Sequence, residues 1–85
     1  MNEYVIDVSI TPREGLLDPQ GKVVLNALRS LDFDEVADVK VGRLIRLRIL
    51  APNMEVARER ADEMCRRLLA NPVTEDYELE LENIS

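Results

Sequence analysis

The first apolar pattern in the chain alternates strictly between two faces. One face of residues 4–10 is apolar and the other is mixed. A period of two is typical of a β-strand with one buried face. We therefore predict a first strand here and a loop from Pro12 to Leu17 after it. The residues predicted to face the core are Tyr4, Ile6, Val8 and Ile10.

Two later segments have apolar side chains at helical spacing. We predict the first helix over residues 19–31, with Asp18 as its cap and Pro19 in its first turn. The second helix is predicted from about residue 54 to residue 70, with Asn53 as its cap. Both apolar stripes are expected to face the core. They consist of Val24, Ala27, Leu28 and Leu31 in the first helix, and of Ala57, Ala61, Met64, Cys65, Leu68 and Leu69 in the second.

The second helix has a strong predicted end. Asn71 can adopt the left-handed conformation that closes a helix, and Pro72 prevents the helix from continuing. On the polar side of the same helix, acidic residues precede basic ones by four positions, which favours ion pairs along the helix. These pairs are Asp62 with Arg66 and Glu63 with Arg67.

The remaining segments are predicted to be extended. Residues 36–41 and 43–50 flank Gly42, which suggests either a hairpin or one long strand that is bulged or bent near Gly42. We favour the bent strand because a turn dipeptide such as Asn-Gly is missing. A last strand follows Pro72, with Tyr77, Leu79 and Leu81 on its apolar face, and Ile84 and Ser85 are expected to fray.

The predicted order is β-α-β-α-β, which implies an α+β fold in a single domain spanning residues 1–85. We expect a small three-stranded, or split four-stranded, sheet with two helices on one face. The outward side chains of the middle strand are basic and those of the last strand are acidic, so these strands are predicted to be neighbours, within one subunit or across a subunit interface. The half-apolar outer face favours a homodimer or a dimer of dimers. The outward residues are Arg46 and Arg48, and Glu78, Glu80 and Glu82.

Composition narrows the function classes. The 85 residues are 46% hydrophobic and 33% charged, and the net charge is −6, so nucleic acid and anionic membranes are disfavoured partners. The aromatic residues are too few for a base-stacking surface. We expect a cytoplasmic protein, because Cys65 is the only cysteine and no stretch is apolar enough for a signal peptide or a membrane span.

The sequence offers no convincing reactive centre, and we predict no catalytic, cofactor-binding or metal-binding residues. It has no histidine, and Cys65 falls on an apolar stripe. Alternate carboxylates of the last strand would lie in a row about 7 Å apart instead of converging on a metal. Arg43, Arg46 and Arg48 could grip phosphate, but pairing with the acidic strand is favoured. The amides at the first helix start could hold an anion, but Asp18 is expected to cap them, and Gly21 to permit close packing.

Three ordered motifs resemble a known family, the small auxiliary subunit of phosphoribosylformylglycinamidine synthase. The resemblance covers about residues 3–82. Phe33-Asp34 departs from it, where a glycine is common, and Thr74 stands where an apolar residue is frequent. The motifs are Leu17-Asp18-Pro19-Gln20-Gly21, Val39-Lys40-Val41-Gly42-Arg43, and Leu68-Leu69-Ala70-Asn71-Pro72-Val73 with Glu75-Asp76-Tyr77.

This resemblance implies an oligomeric, noncatalytic subunit of an ATP-dependent carbon–nitrogen ligase complex in purine biosynthesis. In that family a synthetase subunit uses ATP, magnesium and formylglycinamide ribonucleotide, and a glutaminase subunit releases ammonia from glutamine. The small subunit brings the two together. We predict partner contacts at strand edges and at the loops from Pro12 to Leu17 and from Asn71 to Asp76. The candidates are Arg13, Gly15, Leu16, Gln20, Asn71, Pro72, Thr74 and Asp76, with Asp18, Pro19, Gly21, Gly42, Asn71 and Pro72 as structural positions. The alternative is a free-standing oligomeric regulatory domain that binds a small ligand between subunits.

Overall fold

The computed structural model describes residues 1–16 and 18–83. In chain order its elements are β1 (Asn2–Pro12), α1 (Pro19–Ser30), β2 (Arg43–Ala51), α2 (Met54–Met64) and β3 (Glu75–Asn83), and a π-helical turn (Cys65–Leu69) extends α2. The predicted α+β class and β-α-β-α-β order are confirmed. The expectations for Leu17, Ile84 and Ser85 fall outside the described residues.

The three strands form one antiparallel sheet in the order β2-β1-β3. Its central strand has the predicted alternation, since Tyr4, Ile6, Val8 and Ile10 are all buried. Helix α2 packs against all three strands and contributes Ala57, Ala61 and Cys65 to the core. Small side chains at these helix positions allow the helix axis to lie close to the sheet.

The prediction that the middle and last strands are neighbours within one subunit is wrong, because β1 lies between β2 and β3. Two of the three arginines of β2 pair instead with acids of β1. Arg46 lies 2.7 Å from Asp7, and Arg48 lies 2.7 Å from Glu3. Unlike charges do face each other on paired strands, but β1 supplies the acidic partners of Arg46 and Arg48.

The bent or bulged strand near Gly42 is also wrong. Residues 36–42 form no strand, and β2 begins at Arg43. A Cβ atom at Gly42 would lie 2.1 Å from the carbonyl oxygen of Ile10. Gly42 therefore permits a close approach to the end of β1, and the sheet has three strands instead of a split fourth.

Helix α2 departs from the predicted stripe in its last turn. The Ala70 amide donates to the Cys65 carbonyl at 3.0 Å, which is the i to i+5 bond of a π-helix. The wider turn directs Leu69 and Ala70 toward the sheet and leaves Leu68 82% exposed. Met64 is also exposed, so two of the six predicted stripe residues lie outside the core.

Helix α1 does not cover the sheet, which corrects the expectation of two helices on one face. Gly21 is its only buried residue, and the apolar residues Val23, Val24 and Leu31 are exposed. The radius of gyration is 16.4 Å, compared with about 12 Å for a compact domain of this length. The longest dimension of the molecule is 51 Å.

Helix α1 packs against residues 31–42. We call these two segments together the arm. The Arg29 guanidinium donates to the Val36 carbonyl at 3.3 Å. At the base of the arm, the Val41 amide donates to the Asp18 carboxylate at 3.0 Å. Asp32 takes a left-handed φ of 71° after the helix, close to where the family resemblance led us to expect a glycine.

Candidate partner-binding surface

The two loops predicted to contact partners lie side by side. The Arg13 amide donates to the Thr74 carbonyl at 3.0 Å, and its guanidinium donates to the Pro72 carbonyl at 2.6 Å. The same guanidinium lies 3.3 Å from the Asp76 carboxylate. Residues 12–16 and 71–76 therefore form one continuous surface, which we call the loop surface.

Asn71 shapes this surface, although not in the predicted way. Among the described residues, Asp32 is the only non-glycine residue with a positive φ, so Asn71 does not close the helix in a left-handed conformation. Its side-chain oxygen instead accepts from the Val73 amide at 2.9 Å, and its carbonyl accepts from the amides of Thr74 and Glu75. These bonds define a tight turn over residues 71–74.

Glu75 joins this turn to the rest of the molecule. Its carboxylate accepts two bonds from the Arg43 guanidinium, at 2.6 and 3.0 Å, and one from the Asn71 amide at 2.8 Å. The Arg43 bonds, followed by the Asn71 bond, hold the pKa of Glu75 below its ordinary value. The hydrogen bonds between Arg43 and Glu75 also raise the pKa of Arg43. Structural pairing of Arg43 with the acidic strand is thus confirmed.

The remaining candidates divide between two places. Gly15 and Leu16 are exposed beside Arg13 in the loop surface, and Gly15 has a φ of 79°, which favours glycine. Gln20 belongs to the arm, where it borders an open depression with Val23 and Val24. The predicted contact residues therefore do not form a single cluster.

The start of α1 is a closed cap. The Asp18 carboxylate accepts from the amides of Gly21 and Val41, both at 3.0 Å. Pro19 occupies the first helical turn, as predicted. Gly21 is buried, and a Cβ atom there would lie 2.3 Å from the Val39 carbonyl oxygen. The predicted roles of these residues in capping and close packing are confirmed.

The exposed surface of the arm was not predicted. We expected the apolar stripe of α1 to face the core, but Val23, Val24, Leu31 and Phe33 lie at the surface. An apolar stripe has the same period whether its partner is in the same chain or in another one. Val23 is apolar although it lies outside the predicted stripe, and this was a local sign that α1 has a second apolar surface.

The Cys65 thiol and the Tyr77 hydroxyl both lie in the packed part of the structure. Cys65 is buried, and burial together with Asp62 raises the pKa of its thiol. The Tyr77 hydroxyl donates to Asp62 at 2.5 Å, and this bond followed by burial raises the pKa of Tyr77. Within residues 1–16 and 18–83, no three potential metal-ligating side chains cluster, and no helix is long and apolar enough to cross a membrane.

Comparisons with known proteins agree on one family. The family model described as PurS, phosphoribosylformylglycinamidine (FGAM) synthase, matches residues 5–83. The PurS subunit of this synthase from Bacillus subtilis is 40% identical over 81 residues, which cover 95% of each chain.

Solved structures show the same arrangement of the backbone. The Thermus thermophilus PurS structure is 38% identical, with a TM-score of 0.85 over 98% of this chain and 99% of that one. A chain in the structure of PurLQS from Thermotoga maritima is 30% identical, with a TM-score of 0.84 over 99% of this chain and 100% of that one. Because sequence and structure match over nearly their full lengths, the chain belongs to the PurS family of phosphoribosylformylglycinamidine synthase.

Proposed function

We propose that this chain is the noncatalytic small subunit of phosphoribosylformylglycinamidine synthase (EC 6.3.5.3), and that it bridges a glutaminase subunit and a synthetase subunit. The synthetase partner uses ATP and magnesium, and the bridge keeps the ammonia released from glutamine close to the synthetase site. The observation that supports this most directly is the match, over 99% of this chain, to a chain in the PurLQS structure. Within the proposal, residues 1–85 act as one domain in the cytoplasm.

Reconstitution with separately purified synthetase and glutaminase subunits tests this function. With magnesium and ATP present, the rate of formylglycinamidine ribonucleotide formation is measured with glutamine and, separately, with ammonium chloride. We expect this chain to raise the glutamine-dependent rate and to have no activity alone. An unchanged glutamine-dependent rate, or turnover by the isolated chain, would refute the proposal.

The bridging subunit is proposed to be a homodimer or a dimer of dimers. The arm exposes Val23 and Val24, while Ile45, Leu47 and Leu79 on the helix side of the sheet are only partly covered by α2. If a second copy of the chain covered either of these apolar surfaces, the removal of apolar area from water would stabilise the oligomer. Cross-subunit pairing of basic β2 with acidic β3 stays a prediction.

Sedimentation velocity of the Val24→Asp variant tests the oligomer. We expect this variant to sediment as a monomer, because a charge on the arm would be buried without a partner. Leu68→Asp is the matched control, since Leu68 is an exposed apolar residue outside the arm, and it should sediment like the wild-type chain. A Val24→Asp variant that retains the wild-type sedimentation coefficient would show that the arm does not join the subunits.

The loop surface is proposed to dock a partner subunit. Its turn is held by hydrogen bonds and is solvent-exposed, and binding residues are often carried on surface loops positioned by a rigid scaffold. The double variant Asn71→Ala/Pro72→Ala should lose glutamine-dependent activity and keep most ammonia-dependent activity. An equal loss of both activities would point to misfolding and would contradict a specific docking role.

A further inference from the structure

The Glu75 side chain is contacted from two different parts of the chain. Arg43, at the first position of β2, holds both carboxylate oxygens, and the Asn71 amide donates to one of them. The Arg43 guanidinium also donates to the Leu69 carbonyl at 2.6 Å, at the end of the π-helical turn. One ion pair thus joins the end of a helix, the 71–74 turn and the start of β3.

The opposite side of the turn is held by Arg13. Its amide and guanidinium bind the carbonyl oxygens of Thr74 and Pro72. Between these two attachments, Val73 is 74% exposed. The turn therefore presents an apolar tip on a backbone that is held directly by Arg13, just after β1, and through Glu75 by Arg43 of β2.

We propose that Glu75, held by Arg43, is a positioning residue that keeps the 71–74 turn in the shape that a partner subunit binds. This inference rests on the proposed function and adds the residues that prepare the docking turn. Glu75 acts through the turn, and its side chain is only 20% exposed. A turn that is already ordered before docking does not lose conformational freedom when it docks, so binding is tighter.

The main test is the Glu75→Gln variant in the reconstituted complex. Glutamine retains one oxygen that can accept from the Asn71 amide, but its NH2 group cannot accept from Arg43, so the ion pair and the two-pronged contact with Arg43 are lost. The glutamine-dependent rate is titrated against the concentration of this chain. We expect the half-saturating concentration to rise about tenfold or more, because turn residues must then be ordered on docking, while the saturating rate stays near the wild-type value.

The matched control is Glu63→Gln, which removes the exposed Glu63 ion pairs with Arg60 and Arg67 on α2. It should leave the half-saturating concentration unchanged. Amide hydrogen exchange gives a second measurement, because the Thr74 and Glu75 amides donate to the Asn71 carbonyl. These two amides should exchange faster in Glu75→Gln and at the wild-type rate in the control.

The outcomes of these measurements separate the possibilities. Wild-type half-saturation in Glu75→Gln would overturn the inference even if the two amides exchange faster, as would an effect of the same size in the control. If Glu75→Gln does not fold, Arg43→Lys decides the question, because lysine keeps the charge but lacks the two-pronged geometry. A wild-type half-saturating concentration in Arg43→Lys would then overturn the inference, and a raised one would support it. A wild-type chain that fails to stimulate the synthase would refute the proposed function itself.

Discussion

The substitution Gly21→Ala separates helix propensity from tertiary packing. Gly21 lies in the first turn of α1, and alanine is favoured over glycine in helices by about 1 kcal/mol. Propensity alone therefore predicts that the substitution stabilises the chain. The structure predicts the opposite, because the new Cβ atom would lie 2.3 Å from the Val39 carbonyl oxygen and 2.5 Å from an Asp18 carboxylate oxygen.

The size of the effect follows from the bonds that must yield. Displacing the Asp18 carboxylate weakens the cap, which is worth about 1 kcal/mol. It also weakens the bond from the Val41 amide, which is worth about 1.5–3 kcal/mol because the acceptor is charged. After the gain in propensity is subtracted, we expect a net loss of about 2 kcal/mol in the free energy of unfolding.

Urea unfolding followed by circular dichroism measures this loss. Asn26→Ala, at an exposed position of the same helix, is the control and should be neutral or slightly stabilising. Hydrogen exchange of the Val41 amide should also accelerate in Gly21→Ala. If Gly21→Ala instead raises the free energy of unfolding by about 1 kcal/mol and leaves exchange of the Val41 amide unchanged, the close packing of Gly21 against Val39 is refuted.

Three further comparisons, made with four substitutions, test other parts of the structure. Leu68→Ala should change the free energy of unfolding by less than about 0.5 kcal/mol, whereas Leu69→Ala should cost about 1–2 kcal/mol; a reversed order in urea unfolding would contradict the π-helical turn. Asn53→Ala should cost about 1 kcal/mol, because its side chain accepts from the Val56 amide at 2.9 Å; an unchanged urea midpoint would contradict this cap. Folding lowers the pKa of Glu75 below its ordinary value of about 4.3. The ionised Glu75 side chain therefore stabilises the folded state above this pH, and the stabilisation is lost as the pH falls through the lower folded-state pKa. The thermal unfolding midpoint of Glu75→Gln should therefore fall less steeply with decreasing pH in that acidic range than the midpoint of the wild type. Identical dependence of the two midpoints on pH would contradict the lowered pKa of Glu75.

The site was only partly predictable. Arg13, Asn71, Pro72 and Thr74 were selected as loop residues, and the structure brings their backbones together. Glu75 was not selected, because its sequence context is that of an acidic strand residue. Its importance depends on Arg43, which is 32 positions away in the sequence, and no local pattern specifies that contact.

The sequence by itself determined the features that depend on near neighbours. The caps at Asp18 and Asn53 require only an acceptor and amides within three residues, and the burial of one face of β1 follows from its alternation. The order of helices and strands follows from the same short-range periodicities.

Only the tertiary structure decided which elements are neighbours. The position of β1 between β2 and β3, the extension of the arm away from the sheet, and the π-helical turn that exposes Leu68 all depend on contacts between distant residues. Periodicity shows that a face will be buried, but the same pattern is compatible with several partners. The choice among those partners depends on how the whole chain packs, and for α1 it leaves an apolar surface available to another subunit.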